Sequence, residues 1–285
     1  MTDRQPDAPA AKLARPEVRV LATTDALYDT VAAEIVRVLD AAVRERGVAH
    51  WSTTGGSAAP PIYERLRIPP LRESLDWKRV QVWWGDDRYV PADHPLSNVQ
   101  PLTQILLATG GDEALSGTPM AGVGGHGDGI SIPDANLHPI QMADAISHGG
   151  APRAAARYAA ELRDAGPAED ASGTPVFDLL LLGVGPDGHI LSVFPGSAAW
   201  DDPATCVAIP APSHVEPHVE RVTLTPRVVA AARRVLVVTA GASKAAILAR
   251  AWASDDVRSL PVAATRLGSA VWMLDEAAAG SLPRT

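Results

Sequence analysis

Cysteine is almost absent. The 285-residue chain carries one, Cys206, so it can form no internal disulfide and no cysteine cluster suggests zinc, which makes a cytoplasmic, reducing setting the expected one. Long hydrophobic runs are missing as well. No stretch approaches the roughly 20 apolar residues that span a bilayer, and the N-terminus lacks the basic start and apolar run of a secretory signal. Positive charge is in deficit, with 25 Lys and Arg against 33 Asp and Glu for a net charge of −8. That balance argues against nucleic acid, whose binding needs a basic footprint. A small anion stays open, because a few local donors hold a phosphate even inside an acidic protein.

What is present fits a globular domain: 46% apolar and 20% charged residues are ordinary proportions. The first 16 residues have no apolar periodicity and are rich in Ala, Pro and charge. The expected division is therefore a mobile tail over 1–17 and a single α/β domain over 18–285. Residues 18–22 read as a strand. Leu27, Val31, Ile35, Leu39 and Val43 then recur every four residues, the stripe of one long helix that stops near Gly47. Further strands are expected at 48–53, 80–84, 177–182, 207–209, 222–224, 235–239 and 271–274. Helices are expected after Ser57, near 99–107, and over 153–163 and 241–252. The Gly-rich stretch 109–135 reads as a long surface excursion.

Such alternation implies an α/β fold, a mainly parallel Rossmann-like sheet with helices on both faces. Ligands bind such sheets beyond the carboxyl ends of the strands. Four of those ends carry chemistry: the Gly55 turn, the Asp86 run, the Gly183 loop and the Gly241 turn. They are far apart in sequence and would converge on one edge.

The Gly183 loop runs Gly183-Val184-Gly185-Pro186-Asp187-Gly188-His189. It contains G-x-G-x-x-G after a strand, the dinucleotide fingerprint. That fingerprint needs a helix to open at its last glycine, and Phe194-Pro195-Gly196 would break it. The other use of the loop is to present Asp187 and His189 at the sheet's mouth, the imidazole as a general base and the carboxylate fixing its tautomer. Spacing alone leaves a plain turn with an exposed histidine equally open. Gly55-Gly56-Ser57 offers backbone N–H groups to an anion, or is a plain connection. Asp86, Asp87 and Arg88 follow an apolar strand directly, although charge runs are usually solvated loops. Lys244 lies in the first turn of a helix, against the macrodipole, which makes sense if it meets a phosphate. His214 and His218 are four apart, but Pro217 between them argues against a metal-binding helix.

These residues resemble the 6-phosphogluconolactonases, whose relatives include the glucosamine-6-phosphate deaminases and, more distantly, the ribose-5-phosphate isomerases. The resemblance runs through Thr54 to Ser57, Trp83 to Arg88 with Ser97-Asn98, Gly183 to His189 with Ser192-Val193-Phe194-Pro195, and Gly241 to Lys244. Four motifs in family order span roughly 18–275. The departures are Thr54 where serine is usual, Ala58-Ala59 in place of Thr-Pro, and Asp87 in place of glutamate, which leaves the role of Asp87 open.

The resemblance implies the shared fold of these enzymes and hydrolysis of a phosphorylated sugar lactone without cofactor or metal. His189 would be the general base, Asp187 its orienting partner, and Arg88 a substrate or oxyanion contact. Gly55, Gly56, Ser57, Lys244 and Arg221 would hold the phosphate, and Asp86 would contact the substrate. The deaminase pattern continues after its histidine with Asn-Glu, whereas this chain has Ile190-Leu191-Ser192 and no acid, which favours the lactonase. The expected partner is the small-molecule lactone, with no nucleic acid and no membrane; a monomer is expected and a homo-oligomer left open.

Overall fold

The computed structural model describes residues 13–107 and 129–283. Among them the main sheet has seven strands: β1 (Glu17–Leu21), β2 (Ala49–Thr53), β3 (Val80–Trp84), β5 (Leu137–His138), β6 (Leu179–Leu182), β9 (Val235–Thr239) and β10 (Ala270–Asp275). Their order is β1-β10-β9-β6-β2-β3-β5, and every pairing is parallel. All residues of β6, β9 and β10 are buried, which is why they read as unbroken apolar runs: strands covered on both faces lose the alternation of a half-exposed sheet.

The long helix α1 (Thr24–Arg46) starts at Thr23, whose side chain accepts from Ala26 N at 3.1 Å, and stops at Gly47. Its stripe of Leu27, Val31, Ile35 and Leu39 is fully buried against β2, β6 and β10. Each such side chain contributes roughly 1.5–3 kcal/mol. The longer helices of the connections are α2 (Ala59–Leu66), α3 (Gly150–Ala165) and α4 (Ala245–Ala253).

A second, antiparallel sheet is the main departure from expectation. β4 (Asp86–Arg88), β7 (Cys206–Ile209) and β8 (Arg221–Leu224) pair in the order β4-β8-β7, so 207–209 and 222–224 are strands but not members of the parallel sheet. The chain crosses between sheets at Gly85, whose N–H donates to Thr53 O at 3.1 Å and whose carbonyl accepts from Leu224 N at 2.8 Å.

Two further expectations need correction. The helix near 99–107 is one α-turn, Val99–Pro101, followed by a wider turn over Leu102–Leu106 in which Leu107 N bonds Leu102 O at 3.2 Å. Of the tail expected over 1–17, residues 13–17 are anchored: Arg266 donates to the carbonyls of Leu13 and Ala14, both at 2.8 Å, Arg15 lies over Trp252, and Glu17 begins β1; residues 1–12 lie outside the described residues. Of the Gly-rich stretch 109–135, only 129–135 falls within them. Among the described residues no helix is long and apolar enough to cross a membrane.

Candidate active site

Because the main sheet is parallel, β2, β3, β6 and β9 all end on one edge. Beyond that edge lies a cleft of about 390 Å³, lined by residues from all four expected strand ends. Gly55, Gly56 and Ser57 come from the β2 end, Asp86 and Arg88 from the β3 end, Gly183 to Pro186 and His189 from the β6 end, and Lys244 from the β9 end. Asn98, Leu191, Glu216, Arg221 and Tyr28 complete much of the wall.

After β6 the chain makes no helix at Gly188 but a tight loop, Gly185 N donating to His189 O at 2.9 Å and Gly188 N to Gly185 O at 3.1 Å. The dinucleotide geometry is therefore absent. The loop folds His189 back so closely that a Cβ on Gly185 would stand 2.0 Å from the imidazole Nδ1 and Cε1; only glycine leaves room. Asp187 Oδ1 lies 2.5 Å from His189 Nδ1 and also accepts His189 N at 3.1 Å. Burial alone would raise the Asp187 carboxyl, but its bonds to His189 and His214 and the charge of His189 hold it well below the usual carboxylate range. An ionised carboxylate only accepts, so the proton of this pair resides on Nδ1. Nε2 is then the nitrogen left to take a proton.

The two adjacent acids part company. Asp86 and Arg88 line the cleft and Asp87 does not, as the two-residue period of β4 requires. Asp86 accepts Ser192 Oγ at 2.5 Å and, through its backbone carbonyl, Asn98 Nδ2 at 2.9 Å. Asp87 is buried beneath, with Oδ1 accepting from Arg88 N and Asn98 N, both at 2.7 Å, and Oδ2 from Ser97 Oγ at 2.9 Å. It braces the 97–98 turn and is not part of the cleft lining. Burial pushes its carboxyl up to about 7, against the pull of those three donors. Asn98 packs on the Gly55 turn, where a Cβ would come within 1.8 Å of its Oδ1.

Arg88 donates from Nη1 to Leu96 O at 2.7 Å. Its Nε, with Asn98 Oδ1 and Thr239 Oγ1, is buried without a hydrogen-bond partner among the described residues. Buried polar atoms are rarely left unmatched, and all three belong to residues that line the cleft. Arg221 pairs with Arg88 across the second sheet, and its guanidinium donates to Val219 O at 3.3 Å and Pro217 O at 2.9 Å. Burial, and then the neighbouring Arg88, lower its pKa. Lys244 Nζ donates to Val184 O at 2.7 Å, leaving two N–H bonds for a ligand; burial lowers its pKa, opposed by Asp187.

Every residue expected at the site from the sequence thus reaches one cleft, except that Asp187 stands behind His189 and Asp87 lies beneath. Sequence reasoning passed over Tyr28, Glu216 and the contact that His214 makes. The last lies 2.9 Å from Asp187 Oδ2 through Nε2, and no local pattern announces a partner 27 positions away.

Residues 22–272 match the family model described as glucosamine-6-phosphate isomerases/6-phosphogluconolactonase. A 6-phosphogluconolactonase of Streptomyces coelicolor is 31% identical over 271 residues, covering 95% of this chain and 96% of that protein. One of Mycobacterium tuberculosis is 30% identical over 267 residues, covering 93% and 98%. Among solved structures, a 6-phosphogluconolactonase from Trypanosoma cruzi superposes with a TM-score of 0.77 at 25% identity, covering 95% of this chain and 98% of that one. A monomeric glucosamine-6-phosphate deaminase, at 16% identity and a TM-score of 0.71 over 93% and 99% of the two chains, shares the fold.

Proposed function

The chain belongs to the family of glucosamine-6-phosphate isomerases and 6-phosphogluconolactonases, as an enzyme on its hydrolytic side, and we propose that it hydrolyses 6-phosphoglucono-1,5-lactone to 6-phosphogluconate, the lactonase step of the oxidative pentose phosphate route, with His189 as general base. The observation that carries this reading is the placing of the Asp187–His189 pair in the same cleft as the Gly55–Ser57 turn and Lys244. The same cleft thus offers a base and anion donors.

In this mechanism the Gly55, Gly56 and Ser57 turn and the Lys244 ammonium hold the phosphate, with Arg221 adding positive charge from the second sheet. Asp86 and Asn98, which line the cleft, serve as partners for sugar hydroxyls. His189 Nε2 takes a proton from water as the water oxygen bonds to the lactone carbonyl carbon. The carbonyl oxygen becomes an oxyanion, and the Arg88 guanidinium, with its unspent Nε–H, stabilises that charge. Collapse breaks the bond from the carbonyl carbon to the ring oxygen, which takes the proton back from His189. The new carboxylic acid ionises to solvent. Asp187 keeps Nδ1–H aimed and stabilises the transient imidazolium.

The test is lactone hydrolysis, with substrate generated in situ and the spontaneous rate subtracted, for wild type beside His189→Ala. General-base assistance is worth roughly 10²–10⁴ in rate, so the variant loses most of the acceleration and keeps phosphate affinity. Near-wild-type turnover by His189→Ala refutes the base assignment. No acceleration by folded wild type refutes the substrate.

A further inference from the structure

The carboxylate that aims His189 has a second imidazole on it. His214 Nε2 lies 2.9 Å from Asp187 Oδ2, the oxygen that His189 does not use. With Asp187 ionised and only accepting, His214 is the donor. His214 is about half exposed and belongs to the connection between β7 and β8, whose next two residues, Val215 and Glu216, line the cleft. The Phe194 ring packs against both imidazoles, 4.6 Å from His189 and 5.8 Å, edge to face, from His214. Arg221 covers the same ring at 5.7 Å.

A carboxylate's terminal torsion is broad and nearly two-fold. Held through one oxygen, Asp187 keeps freedom to turn and to drag the imidazole with it. Donors on both oxygens fix its plane. We infer that His214 is a positioning residue for the hydrolysis: by donating to Asp187 Oδ2 it locks the carboxylate that aims His189, and it fastens the Val215–Glu216 wall of the cleft to the same group. The inference rests on His189 being the base.

The experiment compares wild type, His214→Ala, His214→Gln and His189→Ala in lactone hydrolysis, with kcat and KM separated and melting temperature recorded. The Gln side chain reaches the same oxygen with an amide N–H. His214→Ala should lose about tenfold in kcat with KM within about twofold, the scale of one hydrogen bond to a charged group, and His214→Gln should recover to within about threefold of wild type. A His214→Ala variant with unchanged kcat, or with only KM raised, overturns the inference and leaves the loop as mere wall. So does a Gln variant as slow as Ala. An active His189→Ala instead sinks the base assignment itself, whatever His214 does, so the two failures are told apart.

Discussion

Alanine at position 185 is a severe perturbation of catalysis and a mild one of the fold. Gly185 has no left-handed backbone, so alanine can adopt its conformation. Its new Cβ, however, would stand 2.0 Å from His189 Nδ1 and Cε1 and 2.7 Å from Cγ. Carbon contacts settle near 3.5–4.0 Å, so the ring must withdraw by about 1.5 Å. The loop cannot open to absorb this, being closed by Gly185 N to His189 O and Gly188 N to Gly185 O. The imidazole therefore moves and its 2.5 Å bond to Asp187 breaks. A displacement of about 1 Å in a reacting group costs on the order of 10²-fold, whereas overpacking costs stability about 1–3 kcal/mol. Steady-state lactone hydrolysis beside thermal melting separates the two. The expected result is kcat down about 100-fold in a folded protein, with the Gly185→Ala/His189→Ala double variant no slower than His189→Ala alone. Full kcat from folded Gly185→Ala would refute the role of His189 as a positioned base.

Lys244→Met keeps the apolar stem and removes the ammonium. It should raise KM about 10- to 100-fold with kcat little changed, as loss of one charge-assisted hydrogen bond held equally in ground and transition state, and inorganic phosphate should inhibit it more weakly than wild type. A lowered kcat at unchanged KM would place Lys244 at the reacting carbon instead. Asp87→Asn tests the buried carboxyl. Its folded pKa of about 7 lies above the usual value, so the native state holds the proton more tightly than the unfolded chain, and stability should fall as pH rises from about 4 to about 7. Three pH units give an upper bound of about 4 kcal/mol. The substituted amide can keep both backbone donors on its oxygen and give an N–H to Ser97 Oγ, so urea unfolding of Asp87→Asn should be flatter over that range and match or exceed wild type at about pH 8. A wild-type profile as flat as the variant's would show that the three donors to Asp87 outweigh its burial.

The legible parts of the fold were those with a local cause. The stripe from Leu27 to Leu39 and the stop at Gly47 are written in neighbouring residues, and so are the apolar runs of β6, β9 and β10. β5, two residues long and beside β3 alone, leaves no periodicity to read. The docking of Leu13 and Ala14 depends on Arg266, more than 250 positions away, and composition alone marked that segment as tail. The membership of 207–209 and 222–224 in a separate sheet is equally non-local. It follows from β4 turning away at Gly85 to meet β8, and a short apolar run looks the same in either sheet.

The site shows the same division more sharply. Convergence of four strand ends followed from the parallel sheet, because alternation of strand and helix puts all carboxyl ends on one edge. The sequence leaves the role of Asp87 open, because aspartate stands where glutamate is usual and 86–88 reads as a charge run with no period to separate its acids. As a strand they are opposites: residues 86 and 88 share a face and 87 takes the other. That one change of period places Asp86 and Arg88 in the cleft and Asp87 beneath it, and the antiparallel register sets Arg221 beside Arg88. Two guanidiniums so placed repel, and burial adds to the cost. Among the described residues neither has an acid within ion-pair distance. The charges of Asp86 and Asp87 oppose that cost at Arg221, and under the proposed function an anionic substrate would add the remaining counter-charge to a pair that the second sheet holds together.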